Sequence, residues 1–178
     1  MKPFRAAMVL ATAVPMIATA QTTAAKPGPE ITKLASLLVG SWNYDGTAKA
    51  NPYGPGGKIR GTDDYELGPG GFSVSHHWDE EDPFGHVTGL EIIAVDASRK
   101  LMVGSYFSSL GAVGGGTMSA AGNVYTYATT GVTWEGKTAW SRCTWTFTNP
   151  KAFKVNCDAS PDGRAWSTGV FEATYTKK

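Results

Sequence analysis

The strongest constraint on the fold is the alternation of side chains between two faces along most of the chain. One such row consists of Phe72, Val74, His76 and Trp78, and residues 59–67 alternate in the same way between apolar and polar positions. A side-chain period of two is typical of β-strands that bury one face. Turn-forming residues separate these segments at a spacing of about ten residues. The pattern indicates an all-β antiparallel sandwich or barrel.

Only one segment has helical spacing. After Pro29, the apolar residues Ile31, Leu34 and Leu38 recur at intervals of three and four, and Gly40 is placed to end the helix. We expect one amphipathic helix of about ten residues, too short to be stable unless it packs on the strands. The remaining expected strands cover residues 41–47, 87–95, 101–107, 124–130, 139–148, 153–157 and 165–176.

Residues 111–122 are rich in glycine and only weakly patterned. The run Gly114-Gly115-Gly116 is followed neither by a Lys-Ser or Lys-Thr pair nor by a helix, so it lacks the chemistry of a phosphate-binding loop. We expect a tight turn or a bulge in the sheet at this point.

Composition limits the size of the fold and its partners. The 178 residues are enough for one domain, and 42% hydrophobic side chains can build a core. Lys and Arg number 16 and Asp and Glu number 15, which gives a net charge of +1. This balance excludes a strong electrostatic case for binding nucleic acid or an anionic membrane surface.

The N-terminus has the features of an export signal. Lys2 and Arg5 precede an apolar stretch over residues 6–17, and small residues then offer a cleavage site. A membrane-anchoring helix is the alternative, but the stretch is shorter than the ~20 residues of a bilayer span and a proline interrupts it. We therefore expect a periplasmic or extracellular protein with no membrane span after cleavage. The expected organisation is a signal peptide (1–20), a flexible leader (21–29) and a single antiparallel β domain (30–178).

One hairpin can be paired residue by residue. If the chain forms a hairpin with its turn at Asn149-Pro150, apolar side chains lie opposite apolar ones, the two cysteines lie opposite each other, and so do side chains of opposite charge. Opposed Cβ atoms lie about 4.5–5.5 Å apart, and an exported protein meets an oxidising environment, so we predict a disulfide between the two cysteines. Two reduced, buried thiols are the alternative; without a Cys-x-x-Cys motif, redox catalysis is not indicated. The predicted pairs are Phe147 with Phe153, Trp145 with Val155, Cys143 with Cys157, Arg142 with Asp158 and Thr146 with Lys154.

All three histidines lie within residues 76–86, together with four consecutive carboxylates. These groups could ligate zinc or another divalent metal. However, His76 and His77 are adjacent and face opposite sides of a strand, and neither a His-Glu-x-x-His motif nor the calcium-loop order is present. We therefore favour a solvated hairpin loop in which Pro83 and Gly85 supply the turn, and we predict no metal site.

His76 shares its face with apolar side chains, so burial and neighbours would set its pKa. It could act as a general acid or base, or it could be a core histidine satisfied by one hydrogen bond. Glu91 also lies among apolar residues and would need Arg142, Tyr65 or Tyr106 as a partner. The candidate catalytic residues are therefore His76, Glu91 and Tyr65. The sequence has no Gly-x-Ser-x-Gly nucleophile and no dinucleotide fingerprint.

Several short motifs, taken in order, carry a family resemblance. They are Leu37-Leu38-Val39-Gly40-Ser41-Trp42, Leu67-Gly68-Pro69-Gly70-Gly71-Phe72, the segment from Gly89-Leu90 to Asp96 ahead of Arg99-Lys100, Trp145-Thr146-Phe147-Thr148, and Phe171-Glu172-Ala173-Thr174-Tyr175-Thr176. The first is similar to the start of calycin-type barrels, and the whole set resembles the bacterial family called domain of unknown function 1579. The resemblance implies an antiparallel, calycin-like (lipocalin-like) barrel of about 8–10 strands with one short N-terminal helix. It implies no catalytic residues.

Nitrobindin, a haem-binding protein of similar structure, holds its haem with a histidine on a late strand. In this sequence no histidine follows His86. Haem binding in that manner is therefore not supported. His76, on a different strand, is the alternative haem ligand, and we predict no cofactor.

We expect an exported barrel that binds a small hydrophobic or aromatic molecule in its interior. One alternative is a cofactor-independent enzyme of lyase, isomerase or hydrolase type with His76 as acid or base. Another is a structural envelope protein with a filled core. A cavity would argue against the filled core, and a partly buried His76 beside a second titratable group would favour the enzyme. The residues expected to contact the ligand are Trp42, Tyr44, Phe72, Trp78, Tyr106 and Arg142.

Overall fold

The computed structural model describes residues 26–51, 54–96, 98–99 and 101–178. Within these residues it contains one α-helix, α1 (Pro29–Leu38), a 3₁₀ turn at Pro69–Gly71 and ten β-strands. In chain order the strands are β1 Gly40–Ala48, β2 Gly57–Leu67, β3 Ser73–Asp82, β4 Gly85–Asp96, β5 Leu101–Ser108, β6 Val113–Ala121, β7 Val124–Trp134, β8 Lys137–Asn149, β9 Ala152–Ser160 and β10 Ser167–Lys177.

The ten strands form one closed antiparallel barrel. Each strand pairs with its neighbours in sequence, and β1 pairs with β10 to close the sheet, for example at Tyr44 opposite Tyr175. Closure leaves no edge strand exposed for pairing with another chain. The alternation of side chains puts one face of every strand inside the barrel. This confirms the prediction of an all-β, calycin-like (lipocalin-like) barrel with one short N-terminal helix.

Helix α1 packs across the end of the barrel at which β1 begins. Its apolar stripe, Ile31, Leu34 and Leu38, is fully buried in the core, and Lys33 Nζ donates to the carbonyl of Gly122 at the β6–β7 turn (2.8 Å). Burial of each such side chain stabilises the fold by about 1.5–3 kcal/mol, which offsets the low intrinsic stability of a ten-residue helix. The chain turns from helix to strand at Gly40, whose φ of +124° is accessible to glycine.

The glycine-rich segment forms a full strand of the barrel, β6. Its pairing with β7 shifts register, with Gly114 opposite Val132 and Gly116 opposite Thr129. A bulge therefore lies beside the glycine run, but its extra residue belongs to β7 rather than to the run itself. A bulge of this kind bends the strand and increases its local twist, which helps a sheet to close. The weak sequence pattern reflects the glycines, since they leave few side chains to mark the two faces.

The β8–β9 hairpin has the predicted register. Cys143 lies opposite Cys157 and Arg142 opposite Asp158. The two cysteines form a disulfide, as predicted. Arg142 Nη2 donates to Asp158 Oδ2 at 2.9 Å on the outer surface.

The predicted signal peptide (1–20) and most of the leader (21–29) lie outside the described residues. In the part of the chain that the structure describes, no α-helix has the length and apolar composition needed to cross a bilayer.

Candidate functional site

The interior of the barrel contains two adjacent pockets, which we call the inner and the outer chamber. The inner chamber, about 290 Å³, lies in the middle of the barrel, and the outer chamber, about 300 Å³, lies at the end opposite α1. The outer chamber is bordered by residues of the turns at that end, including Phe84, Leu110 and Lys137. Among the described residues, four side chains line both chambers, and we call the region where they lie the neck: Trp78, Glu80, Tyr106 and Val132.

A buried ionic cluster forms one wall of the inner chamber. The Nε2 atom of His76 lies 2.9 Å from Asp63 Oδ2, and its Nδ1 atom lies 3.4 Å from Glu91 Oε2. The side chains of His76, Asp63 and Glu91 are only 12%, 1% and 8% exposed. His76 and Glu91 are directly opposed on β3 and β4, so the strand register itself brings them together.

The two carboxylates keep His76 protonated. Burial alone would lower the pKa of His76, but the negative charges of Asp63 and Glu91 and their hydrogen bonding outweigh it and raise the pKa to about 9. At neutral pH the ring is therefore an imidazolium held between two carboxylates. Because an imidazolium carries a proton on both ring nitrogens, His76 in this state cannot accept a proton from a bound molecule.

Aromatic rings continue this wall on both sides of His76. The Tyr65 ring stacks on the imidazole with centroids 4.3 Å apart, and its hydroxyl donates to Asp63 Oδ2 at 3.1 Å. Burial and the nearby Asp63 charge raise the pKa of Tyr65, so it remains a neutral donor. Trp78 lies 5.3 Å from the His76 ring, and Tyr106 stacks on Trp78 at 5.7 Å. The result is a row of four rings from the inner chamber to the neck.

Glu80 is the second acidic feature of the cavity. The hydroxyl of Tyr44 donates to Glu80 Oε2 at 2.5 Å. Tyr44, Gly61 and Glu80 are opposed on β1, β2 and β3, and a Cβ at Gly61 would lie 2.7 Å from the Tyr44 hydroxyl oxygen. The missing side chain therefore lets Tyr44 reach across β2. Burial raises the pKa of Glu80 to about 7, despite the opposing effect of the Tyr44 hydrogen bond.

Six of the residues predicted for the site line the cavity. They include all three candidate catalytic residues and three of the expected ligand contacts. The six are Tyr44, Tyr65, His76, Trp78, Glu91 and Tyr106.

The other three predicted contact residues do not line the cavity. Trp42 is fully buried near α1, where its indole Nε1 donates to the Leu38 carbonyl (2.7 Å). Phe72 ends the 3₁₀ turn before β3 and is 42% exposed, so the row of alternating side chains begins at Val74 rather than at Phe72. Arg142 points outward to Asp158, so it is not a partner of Glu91, for which it was one of three candidates beside Tyr65 and Tyr106.

The interpretation of residues 76–86 as a solvated hairpin loop at a strand end was wrong in one respect. The turn is at 83–84 as predicted, but the acidic run belongs to β3. Alternation therefore exposes Asp79 and Glu81 and turns Glu80 into the cavity. The three histidines are also separated, since His77 is exposed and His86 pairs on the surface with Asp79. Within the described residues, no group of three or more His, Cys, Asp or Glu side chains is arranged to hold a metal ion.

Among the described residues, sequence reasoning missed four titratable side chains of the inner chamber. Asp63 could have been found, because alternation places it on the same face of β2 as Ile59 and Tyr65. Glu80 lies on the same face of β3 as His76 and Trp78. It was missed because the acidic residues around it indicated a loop rather than a strand. The other two are Tyr127 on β7 and Tyr175 on β10. Nothing in the sequence around them indicated a place in the cavity.

These features define a class of protein: a closed, lipocalin-like barrel with an aromatic and acidic cavity. The chain belongs to a family of proteins of unknown function, DUF1579, whose model matches residues 26–177. A comparison with curated protein sequences gives no match.

Solved structures share the fold at low sequence identity. Rv2717c from M. tuberculosis superposes with a TM-score of 0.64 and 14% identity over 86% of this chain and 99% of that protein. The S-type phycobiliprotein lyase CPES from Guillardia theta superposes with a TM-score of 0.53 and 13% identity over 83% of this chain and 92% of that one. At these identities the likeness establishes the fold alone.

Proposed function

We propose that this protein binds a small, largely aromatic or apolar molecule inside the barrel. The observation that carries the proposal is the pair of adjacent chambers inside the barrel. A volume of about 290 Å³ in the inner chamber is close to the lower limit of small-molecule sites, which span roughly 300–1,000 Å³. Aromatic rings with a few fixed polar groups are the usual lining of such sites. A core filled with side chains would leave no such space, so the cavity argues against a purely structural role.

The neck residue Val132 allows a direct test. Val132→Trp should obstruct the passage between the chambers, whereas Thr133→Trp places the same side chain on the exposed outer face of β7. The neutral naphthalene dye prodan is titrated against each protein, and its fluorescence is followed. We expect saturable one-to-one binding to the wild type and to Thr133→Trp, and at least about tenfold weaker binding to Val132→Trp.

Circular dichroism and thermal melting verify that both variants fold. Equal prodan affinity in the wild type and a folded Val132→Trp variant would show that the dye does not enter the barrel. Native mass spectrometry of protein purified from its own host gives a second measurement, because a retained small molecule adds its mass to the barrel.

A second candidate function is acid–base catalysis on the bound molecule. It is favoured by a partly buried His76 beside other titratable groups, and above all by Glu80, whose pKa of about 7 suits proton transfer at neutral pH. His76 is already protonated and could only serve as an acid. If a molecule recovered from the protein is converted by the wild type, Glu80→Gln should bind it and not convert it. Conversion at an unchanged rate would exclude this role.

We further propose that the protein is exported. The disulfide supports this, because disulfides persist in oxidising compartments. Mass spectrometry of the periplasmic and culture fractions should find a chain beginning near Gln21 with both cysteines oxidised. A cytosolic chain that retains Met1 and free thiols would contradict it.

A further inference from the structure

The inner chamber has more negative than positive side chains. Asp63, Glu80 and Glu91 line it, and among the described lining residues the one cation is His76, with no Lys or Arg. His76 is already shared between Asp63 and Glu91. Its single charge therefore cannot also balance Glu80.

Glu80 has no counter-ion in the described part of the chain. Its carboxylate accepts the Tyr44 hydroxyl, but no Lys, Arg or His nitrogen of the described residues lies within 4.0 Å of it. The other charged groups that influence it are Asp82 and Asp63, which are negative, and His76, which is positive. A partly buried carboxylate in this setting favours a positively charged partner.

Asp63 provides an independent observation that points to a ligand. Its Oδ2 atom is used by Tyr65 and His76, but its Oδ1 atom is buried and has no hydrogen-bond partner among the described residues. The Asp63 side chain is 1% exposed and lines the chamber. A buried acceptor without a donor is unfavourable, and an N–H group of a bound molecule would satisfy it.

The walls around these carboxylates are aromatic. Trp78 and Tyr106 line the neck beside Glu80, whereas the Tyr44 and Tyr175 rings are stacked on each other with centroids 4.7 Å apart. The face of an aromatic ring carries negative potential and attracts cations. Aromatic rings and unpaired carboxylates thus favour the same kind of ligand.

Resting on the proposed binding function, we propose that the ligand is an organic cation: a protonated amine on a small apolar or aromatic body, with Glu80 as its counter-ion and Asp63 Oδ1 as an N–H acceptor. A fatty acid or another anion is disfavoured, because its carboxylate would face Glu80 and Asp63. Lys137 borders the outer chamber, but it is exposed, and water and salt screen its charge.

Three probes of one shape and different charge test the proposal. Naphthylmethylamine, naphthalenemethanol and naphthoate, all of the same ring isomer, are titrated into the full chain at pH 8 by isothermal titration calorimetry. We expect the ammonium to bind at least about tenfold more tightly than the alcohol, and the carboxylate to bind most weakly. In Glu80→Gln the affinity for the ammonium should fall to that for the alcohol, while the affinity for the alcohol stays within about twofold.

Glu81→Gln is the matched control, because it removes the same charge from the next residue of β3, which is exposed on the outside. It should keep the preference for the ammonium. If the alcohol or the carboxylate binds wild type as tightly as the ammonium, the cationic ligand is refuted and ligand binding stands. If none of the three probes and no prodan binds, the proposed function itself fails.

Discussion

The imidazole of His76 lies 2.9 Å from the carboxylate of Asp63 inside a closed barrel. The pair is not isolated, because Glu91 approaches the other ring nitrogen at 3.4 Å. Breaking a buried ion pair by removing one partner costs about 3–5 kcal/mol, because the other charge is left uncompensated. The cluster therefore ties the stability of the barrel to the protonation of His76.

We expect His76→Gln to lower the free energy of unfolding by about 3–5 kcal/mol at pH 6, because Asp63 and Glu91 would then face each other without a cation. His77→Gln changes the next residue, which is exposed on the outer face, and should have an effect within about 0.5 kcal/mol. Urea unfolding followed by circular dichroism measures both. Similar stabilities of the two variants would show that the cluster does not hold the barrel together.

The same cluster predicts how wild-type stability depends on pH. The pKa of His76 is raised from 6.5 to about 9 on folding, so its contribution is complete below pH 6.5 and is lost as the pH rises through 9. The contribution is on the order of 3 kcal/mol. Urea unfolding at pH 6, 7.5 and 9.5 should show this decline, and the part of it between pH 7.5 and 9.5 should be absent in His76→Gln. A wild-type stability that rises over this range would contradict the assigned protonation.

Glu80 adds a second decline in the free energy of unfolding, at lower pH than that of His76. Its pKa is raised from 4.5 to about 7 on folding, so the neutral carboxyl stabilises the barrel fully below pH 4.5, and this contribution is lost as the pH rises through 7. Glu80→Gln should therefore be about 1–3 kcal/mol more stable than wild type at pH 8, and nearly equal to it at pH 4.5. Glu81→Gln should match wild type at both values. A less stable Glu80→Gln at pH 8 would mean that the ionised carboxylate is favoured by the fold.

Local pairings could be predicted from the sequence, and distant ones could not. The partners of Cys143 and Arg142 follow from one turn, because a hairpin fixes its register over a few residues. The same procedure applied to the turn after Asp82 would have paired His76 with Glu91. That step was missed because the acidic run indicated a loop rather than the end of a strand.

The rest of the site depends on contacts across the barrel. Tyr175 reaches the cavity only because β10 pairs with β1, about 130 residues earlier in the chain. The alternation of β2 places Asp63 on the inward face, but an isolated carboxylate there conflicts with the usual preference for apolar residues. Its partner His76 lies on the next strand and resolves this conflict. The local pattern therefore predicts the strands, whereas closure of the barrel determines which polar groups meet.

The disulfide should stabilise the barrel chiefly through the unfolded chain. Cys143 and Cys157 are 14 residues apart, and closing a loop of that size is worth about 3 kcal/mol on the chain-entropy model. We expect the Cys143→Ala/Cys157→Ala double variant to lose about that amount in urea unfolding. Wild type reduced with dithiothreitol is the control, because it keeps both sulfur atoms. If reduction leaves the stability unchanged while the double variant is destabilised, packing of the sulfur atoms rather than the crosslink is responsible.

Gly89 determines where the Trp78 indole lies. The two residues are opposed on β4 and β3, and a Cβ at residue 89 would overlap the indole ring. Gly89→Ala should therefore displace Trp78 from between His76 and Tyr106, destabilise the barrel by about 1–3 kcal/mol through overpacking, and alter the tryptophan signal in near-ultraviolet circular dichroism. Adding Trp78→Phe supplies a smaller ring and should recover part of the lost stability. Additive losses in the double variant would show that the two residues do not compete for the same space.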